Sequence, residues 1–229
     1  MAKTKKSQAH DRIEGVESAL SRTERYIEDN QKLLTIIILA IAAVVIAFIG
    51  YKRFILLPAE KEAQTQMFMA ERYFELDSFN LALYGDGNNL GMLDIIDDYG
   101  ITKSAELAHY YAGISYLHLS EFEQAIEQLG KFNSNDKMIN LIATGAIGDA
   151  YLELGKPSKA ITYYEKAATT ENNVFVNPIY LMKAGLVYES QEEFQKALET
   201  YRKIKDNYPD SQEAREIEKY ITKVRLMIN

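Results

Sequence analysis

The residues that could carry chemistry do not converge. Of the three histidines, His10, His109 and His118, none stands in an H-E-x-x-H or comparable ligand spacing. His109 and His118 fall roughly two and a half helical turns apart, which suits packing or surface roles better than a shared metal. Gly85, Gly87 and Gly91 lack the strand-before, helix-after setting of a nucleotide loop. Asp86 and Asn88 hint at a calcium loop, but the next ligand position falls on Leu90, which has no oxygen to offer. Asp97 and Asp98 are adjacent, so on a helix they point about 100° apart and make a poor acid–base pair. With no cysteine, disulfides, thiolate nucleophiles and thiolate metal sites are excluded. The expectation is a non-enzymatic chain without a cofactor.

Charge narrows the partners. The net charge is −7 over 229 residues. Residues 1–32 carry a net +1, whereas residues 58–229 hold 17 basic and 27 acidic side chains, a net −10. An acidic surface repels phosphate backbones, so nucleic acid is excluded as a partner.

The elements that remain must be helices. Beyond Pro58, one set of spacings recurs: Gly113, Tyr116, Phe122, Ala125, Leu129, Phe132; then Gly148, Tyr151, Pro157, Ala160, Tyr164, Ala167; then Gly185, Tyr188, Phe194, Ala197, Tyr201, Ile204, Pro209. A weaker unit starts Ala70, Tyr73, Phe79, Ala82 and is interrupted at Tyr84–Leu90. Small residues let helices approach, and the aromatics fill the remaining volume. Ser120 with Glu123 and Ser190 with Glu193 read as capping boxes of second helices, and Asp210 with Glu213 as the start of a last one. That helix carries the stripe Ala214, Ile217, Ile221, Val224 and Ile228. No segment alternates as a strand would, so the fold class is all-α.

These offsets resemble the tetratricopeptide repeat family, whose unit is a helix pair of about 34 residues. The resemblance implies an array whose first helices line a groove for protein partners. Carried onto this chain, the groove residues are Leu107, Tyr110, Ile114 and Leu117; Ile142, Gly145, Asp149 and Leu152; and Ile179, Met182, Leu186 and Glu189. The expected divisions are 58–105 as a degraded first repeat with an insertion, 106–209 as three repeats, and 210–229 as a capping helix.

Ahead of the repeats, Leu33–Tyr51 runs without a charge. As a helix at about 1.5 Å per residue it matches the hydrocarbon thickness of a bilayer. Leu33, Ile36, Ile41, Val45, Phe48 and Tyr51 would face lipid, and Lys32, Lys52 and Arg53 would mark the interfaces. A buried core helix or a cleaved signal peptide fits less well, because the run is apolar all round, starts 32 residues in and lacks an A-x-A site. Residues 33–57 therefore read as a transmembrane signal anchor, with Pro58 as a break. Lys3, Lys5 and Lys6 place the tail, residues 1–32, in the cytoplasm and residues 58–229 across the membrane. Within the tail, Ile13, Val16, Leu20 and Ile27 recur at helical spacing.

This order of parts resembles the YfgM-type proteins of the bacterial inner membrane. Membership would imply an ancillary subunit of the SecYEG translocon, paired with a PpiD-type periplasmic chaperone and serving secreted client polypeptides, with the C-terminal domain periplasmic. Other expectations from the same layout are a scaffold of a different cell-envelope complex and a cytosol-facing import receptor.

Overall fold

Three glycines, each facing a large residue sixteen positions later, set the helix spacing in the computed structural model, which describes residues 26, 29–169 and 173–228. A Cβ on Gly113 would lie 2.5 Å from Leu129 Cγ, one on Gly148 2.6 Å from Tyr164 Cε1, and one on Gly185 2.3 Å from Tyr201 Cε1. No side chain beyond hydrogen fits at these crossings. Ala125, Ala160 and Ala197, the small residues of the second helices, are completely buried.

The chain divides at Leu57 into two units. In the first, α1 is Gln31–Tyr51, followed by a π-helical stretch, Lys52–Leu56. No residue of α1 is buried, and its window of highest hydropathy averages 3.1. Thr35 donates its hydroxyl to the Gln31 carbonyl at 2.7 Å, so the one hydroxyl in the apolar run before Tyr51 is satisfied within the helix. The tail's amphipathic pattern at Ile13, Val16, Leu20 and Ile27 lies outside the described residues.

The second unit holds α2 (Leu57–Glu75), α3 (Phe79–Tyr84), α4 (Met92–Asp98), α5 (Lys103–His118), α6 (Phe122–Lys131), α7 (Lys137–Glu153), α8 (Pro157–Thr169), α9 (Asn177–Ser190), α10 (Phe194–Asn207) and α11 (Ile217–Ile228). Among the described residues there is no strand. The fold is all-α: a tetratricopeptide-like array of antiparallel pairs α5/α6, α7/α8 and α9/α10, closed by α11. Pro58 does not break the chain as expected. It follows directly on the π-helical stretch Lys52–Leu56, where Leu57 N–H bonds to the Lys52 carbonyl five residues back, so the backbone is already shifted off its i−4 pattern at the residue that lacks an N–H.

The turns within pairs share one construction. Tyr73, Tyr116, Tyr151 and Tyr188 each accept, at 2.9 Å, the N–H of the residue five positions on: Ser78, Glu121, Lys156 and Glu193. The residue just before each donor, Asp77, Ser120, Gly155 or Glu192, has φ between 53° and 65°. This is the Schellman closure, which needs a left-handed residue after the helix. It corrects the capping boxes. Ser120 occupies the left-handed position and so cannot adopt the extended N-cap conformation, while Ser190 donates back to the Val187 carbonyl at 2.8 Å inside α9. The N-caps are Glu121 and Glu193, neither with a side-chain cap bond. Asp210 likewise does not cap the last helix. Ser211 Oγ accepts from Ala214 N–H at 3.1 Å, and a 3-10 turn, Glu213–Glu216, leads into α11.

The insertion after α3 is a built loop. Asp86 accepts from the backbone N–H groups of Asn88 (2.9 Å) and Asn89 (2.7 Å) and from the Tyr73 hydroxyl (2.8 Å). The Tyr73 bond first, then the two N–H bonds, hold its carboxyl well below the usual aspartate range. A Cβ on Gly91 would lie 2.2 Å from the Leu83 carbonyl oxygen, so the loop's end demands glycine.

Glu60 ties the first helix of this unit to α5. Its carboxylate accepts from Lys103 N–H and from Ser104 Oγ, both at 2.7 Å, at a helix start that Thr102 also caps. Burial works against ionisation, but bonds from Ser104, Lys103 and Gln64 carry the Glu60 pKa below its ordinary 4.5. A depressed carboxylate contributes stability above the unfolded-state pKa and loses it as pH falls through the folded-state value. Glu60→Gln is therefore expected to cost about 1 kcal/mol at pH 7. The gap to wild type should close on acidification through the carboxylate range. Urea midpoints at pH 7 and pH 3 check this, and an equal gap at both pH values would contradict it.

Candidate functional site

The face presented by the first helices of the pairs is uneven. On α5, Tyr110, Ile114 and Leu117 are half-buried and packed on a cluster containing Leu129, Phe132 and Ile147. The Tyr110 ring lies 5.4 Å from Phe132 and 5.8 Å from Tyr111. On α7, Ile142 is half-buried, and its carbonyl accepts the Tyr180 hydroxyl at 3.2 Å. Gly145 is buried rather than open: its missing Cβ would fall 1.9 Å from Tyr180 Cε1, so it is one of the contacts between α7 and α9. Met182 packs half-buried on the C-terminal core. The open apolar positions are Leu152, Ile179 and Leu186, at 39%, 41% and 43% exposure.

The two acidic positions on this face, Asp149 and Glu189, are paired from within. Lys183 Nζ lies 2.7 Å from both carboxylate oxygens of Asp149, and the Tyr164 hydroxyl donates to the same group at 2.7 Å. The Lys183 ammonium also sits 5.7 Å from the centres of the Tyr164 and Tyr180 rings. Glu189 repeats the arrangement with Lys223 of α11 and the Tyr201 hydroxyl. Both ion pairs span 34 residues, one repeat length, so α11 takes up the place of a further first helix. Sequence reasoning missed Lys183 and Lys223. Their common offset from the acids was the signal that would have found them.

Burial raises the phenol pKa of Tyr164, Tyr180 and Tyr201, with nearby carboxylates adding to it. Tyr188 is pushed up to about 12 by burial and by Glu165, to which its hydroxyl donates at 2.8 Å. These phenols are neutral donors across the biological range. Asp149→Ala is expected to destabilise by about 2 kcal/mol, because it orphans both Lys183 and the Tyr164 hydroxyl. Lys183→Met should cost less, about 1 kcal/mol, since it removes a single partner and keeps an apolar stem over the rings. The order of the two urea midpoints is the test, and a larger loss for Lys183→Met would contradict it.

The two described histidines are used locally, and His10 lies outside the described residues. His109 Nδ1 lies 2.7 Å from Gln128 Oε1, and the His118 ring stacks on Phe79 at 4.3 Å. Asp97 and Asp98 lie exposed at the end of α4. Among the described residues, no group of three or more histidine, aspartate or glutamate side chains is placed to hold a metal ion.

Residues 146–212 match the tetratricopeptide repeat family model. The matched stretch runs from α7 to the turn after α10 and contains the Gly148–Tyr164 and Gly185–Tyr201 contacts. A crystal structure of nearly identical TPR-like repeats, assigned to a kinesin light chain of Podosopora anserina, has a similar fold. Its TM-score is 0.54 at 12% identity, over 74% of this chain and 87% of that one. At that identity the likeness speaks for the fold alone. A comparison with curated proteins finds no match. Tetratricopeptide repeats are typically non-catalytic scaffolds that bind protein partners, and the matched family is not an enzymatic one.

Proposed function

We propose that this chain is a membrane-tethered protein-interaction module, an ancillary subunit of a Sec-type translocon that works beside a PpiD-type periplasmic chaperone on secreted polypeptides. The observation that carries the tethered-module reading is the pairing of one apolar helix, unburied along its length, with a tetratricopeptide-like array that leaves Leu152, Ile179 and Leu186 uncovered. Among the described residues, α1 is the one helix long and apolar enough to cross a membrane. A tether of this kind raises the effective concentration of the array near a membrane complex, so that weak apolar contacts suffice. The translocon and chaperone assignment rests on the resemblance in order of parts: a short tail, one anchor helix and a tetratricopeptide domain beyond it, from which the interrupted first unit departs. In this reading residues 1–32 lie in the cytoplasm and residues 58–229 in the periplasm. The groove residues are Tyr110, Ile114, Leu117, Ile142, Asp149, Leu152, Met182, Leu186 and Glu189.

Two measurements test it. Protease added to spheroplasts should digest residues 58–229 and spare a short N-terminal fragment; protection of the whole domain would point to a cytosol-facing receptor instead. Photocrosslinkers at Leu152 and Leu186 in intact cells should yield adducts with translocon subunits or the chaperone. Adducts with a different envelope complex would replace the translocon assignment, and adducts with none would end it.

A further inference from the structure

A recess lies at the edge of the array, where the approach to α9 meets the turn after α10. Val174, Phe175 and Ile179 form one wall, and Tyr208, Pro209 and Asp210 lie on the other, around about 570 Å³. Both walls are held by hydrogen bonds. The Asn173 side chain accepts from Phe175 N–H and Val176 N–H, each at 2.9 Å, and Asn177 Nδ2 donates to the Tyr208 hydroxyl at 3.1 Å. Phe175 nonetheless stands 73% exposed, with Val174 exposed beside it. An aromatic left in water at the mouth of a cavity, on backbone held by hydrogen bonds, has the form of a binding anchor.

Charge selects the occupant. Among the described residues, the charged ones lining the recess are Asp210 and Glu213, with no lysine or arginine. Neither carboxylate takes part in an ion pair with a described residue, whereas Asp149 and Glu189 are both paired. Two such carboxylates beside an apolar cavity complement an apolar side chain with a cation next to it. A second copy of this chain is disfavoured, because a two-fold contact would bring these acids close to their own counterparts.

We propose that this recess docks a protein segment in which a bulky apolar side chain is flanked by lysine or arginine. The inference rests on reading the array as a protein-binding module; it extends the face of the first helices from Ile179 into this recess and adds the partner's chemistry. The test uses the full chain in detergent micelles and fluorescein-labelled peptides containing Leu-Phe flanked by lysines, the same core flanked by glutamates, and a Ser-Ser version flanked by lysines. Anisotropy should show binding of the first peptide alone. Phe175→Ser should weaken it about tenfold, with helicity unchanged because the side chain is exposed. Asp210→Lys combined with Glu213→Lys should reverse the preference toward the glutamate-flanked peptide. Phe68→Ser, at an exposed aromatic of α2 outside both surfaces, should leave binding unchanged.

Equal binding of lysine- and glutamate-flanked peptides, or indifference to Phe175→Ser, overturns the proposal. So does concentration-dependent dimerisation that Phe175→Ser abolishes, which would make a second copy the occupant. If peptide binding fails but the Leu152 and Leu186 crosslinks succeed, the recess is refuted and the module reading stands. If both fail, the module reading falls with it.

Discussion

Replacing Gly185 with alanine is expected to destabilise the C-terminal half of the array by about 2–3 kcal/mol. The added methyl would lie 2.3 Å from Tyr201 Cε1 and 2.8 Å from Cδ1. Tyr201 cannot step aside: it is fully buried and its hydroxyl is hydrogen-bonded to Glu189. In a repeat array, stability is a sum over units and their neighbours, so the loss should fall mainly on α9, α10 and α11. Hydrogen exchange should accelerate there and change little in α2 to α5. Gly130→Ala is the control, because a Cβ at that position in α6 meets nothing within 4 Å. The same chemical change should there stabilise by about 0.5–1 kcal/mol, since alanine loses less backbone freedom on entering a helix. Destabilisation of equal size at both positions would show that the Gly185–Tyr201 contact does not set the helix spacing.

Two charges in the middle of α1 should detach the chain from the membrane. Arginine at a helix centre costs about 2.5–3.5 kcal/mol on insertion, against a gain of about 0.3–0.6 kcal/mol for an aliphatic residue. The double variant Ile41→Arg, Val45→Arg therefore weakens insertion by roughly 6–8 kcal/mol. Wild type should stay in the pellet after alkaline extraction of membranes, and the double variant should move to the supernatant or fail to reach the membrane. Leu186→Arg, on an exposed position of α9, should remain in the pellet. Release of wild-type protein by alkali would refute the anchor reading of Leu33, Ile36, Ile41, Val45, Phe48 and Tyr51.

The helical pairs were legible because their determinants are short-range and periodic. Gly148 and Tyr164, or Gly185 and Tyr201, announce themselves by residue type and offset, and the structure puts each pair in contact. The turns were misread for a reason of the same scale. Ser120 and Glu123 satisfy the pattern of a capping box, but the Schellman closure onto the Tyr116 carbonyl had already committed Ser120 to positive φ. Residue type favoured one local solution, and backbone hydrogen bonding at the helix end selected another. Met92 and Ile95, fully buried in α4, escaped notice because the interrupted unit hides their phase.

The candidate face divides along the same line. Its residues follow from position within the repeat, but which of them are open to a partner does not. Ile142 and Leu152 are both apolar members of α7, yet Leu152 is exposed while Ile142 is half-buried, its carbonyl accepting the Tyr180 hydroxyl.

By itself, the sequence determined an all-α chain with one helix apolar enough to cross a membrane and a register of helix pairs, since hydrophobic period and small-residue spacing act within a single repeat. Only the tertiary structure decided that Asp149 and Glu189 are neutralised by lysines 34 residues away, while Asp210 and Glu213 are left beside the exposed Phe175. Charge pairing and exposure depend on which surfaces neighbouring units bring together, and no single repeat encodes that meeting.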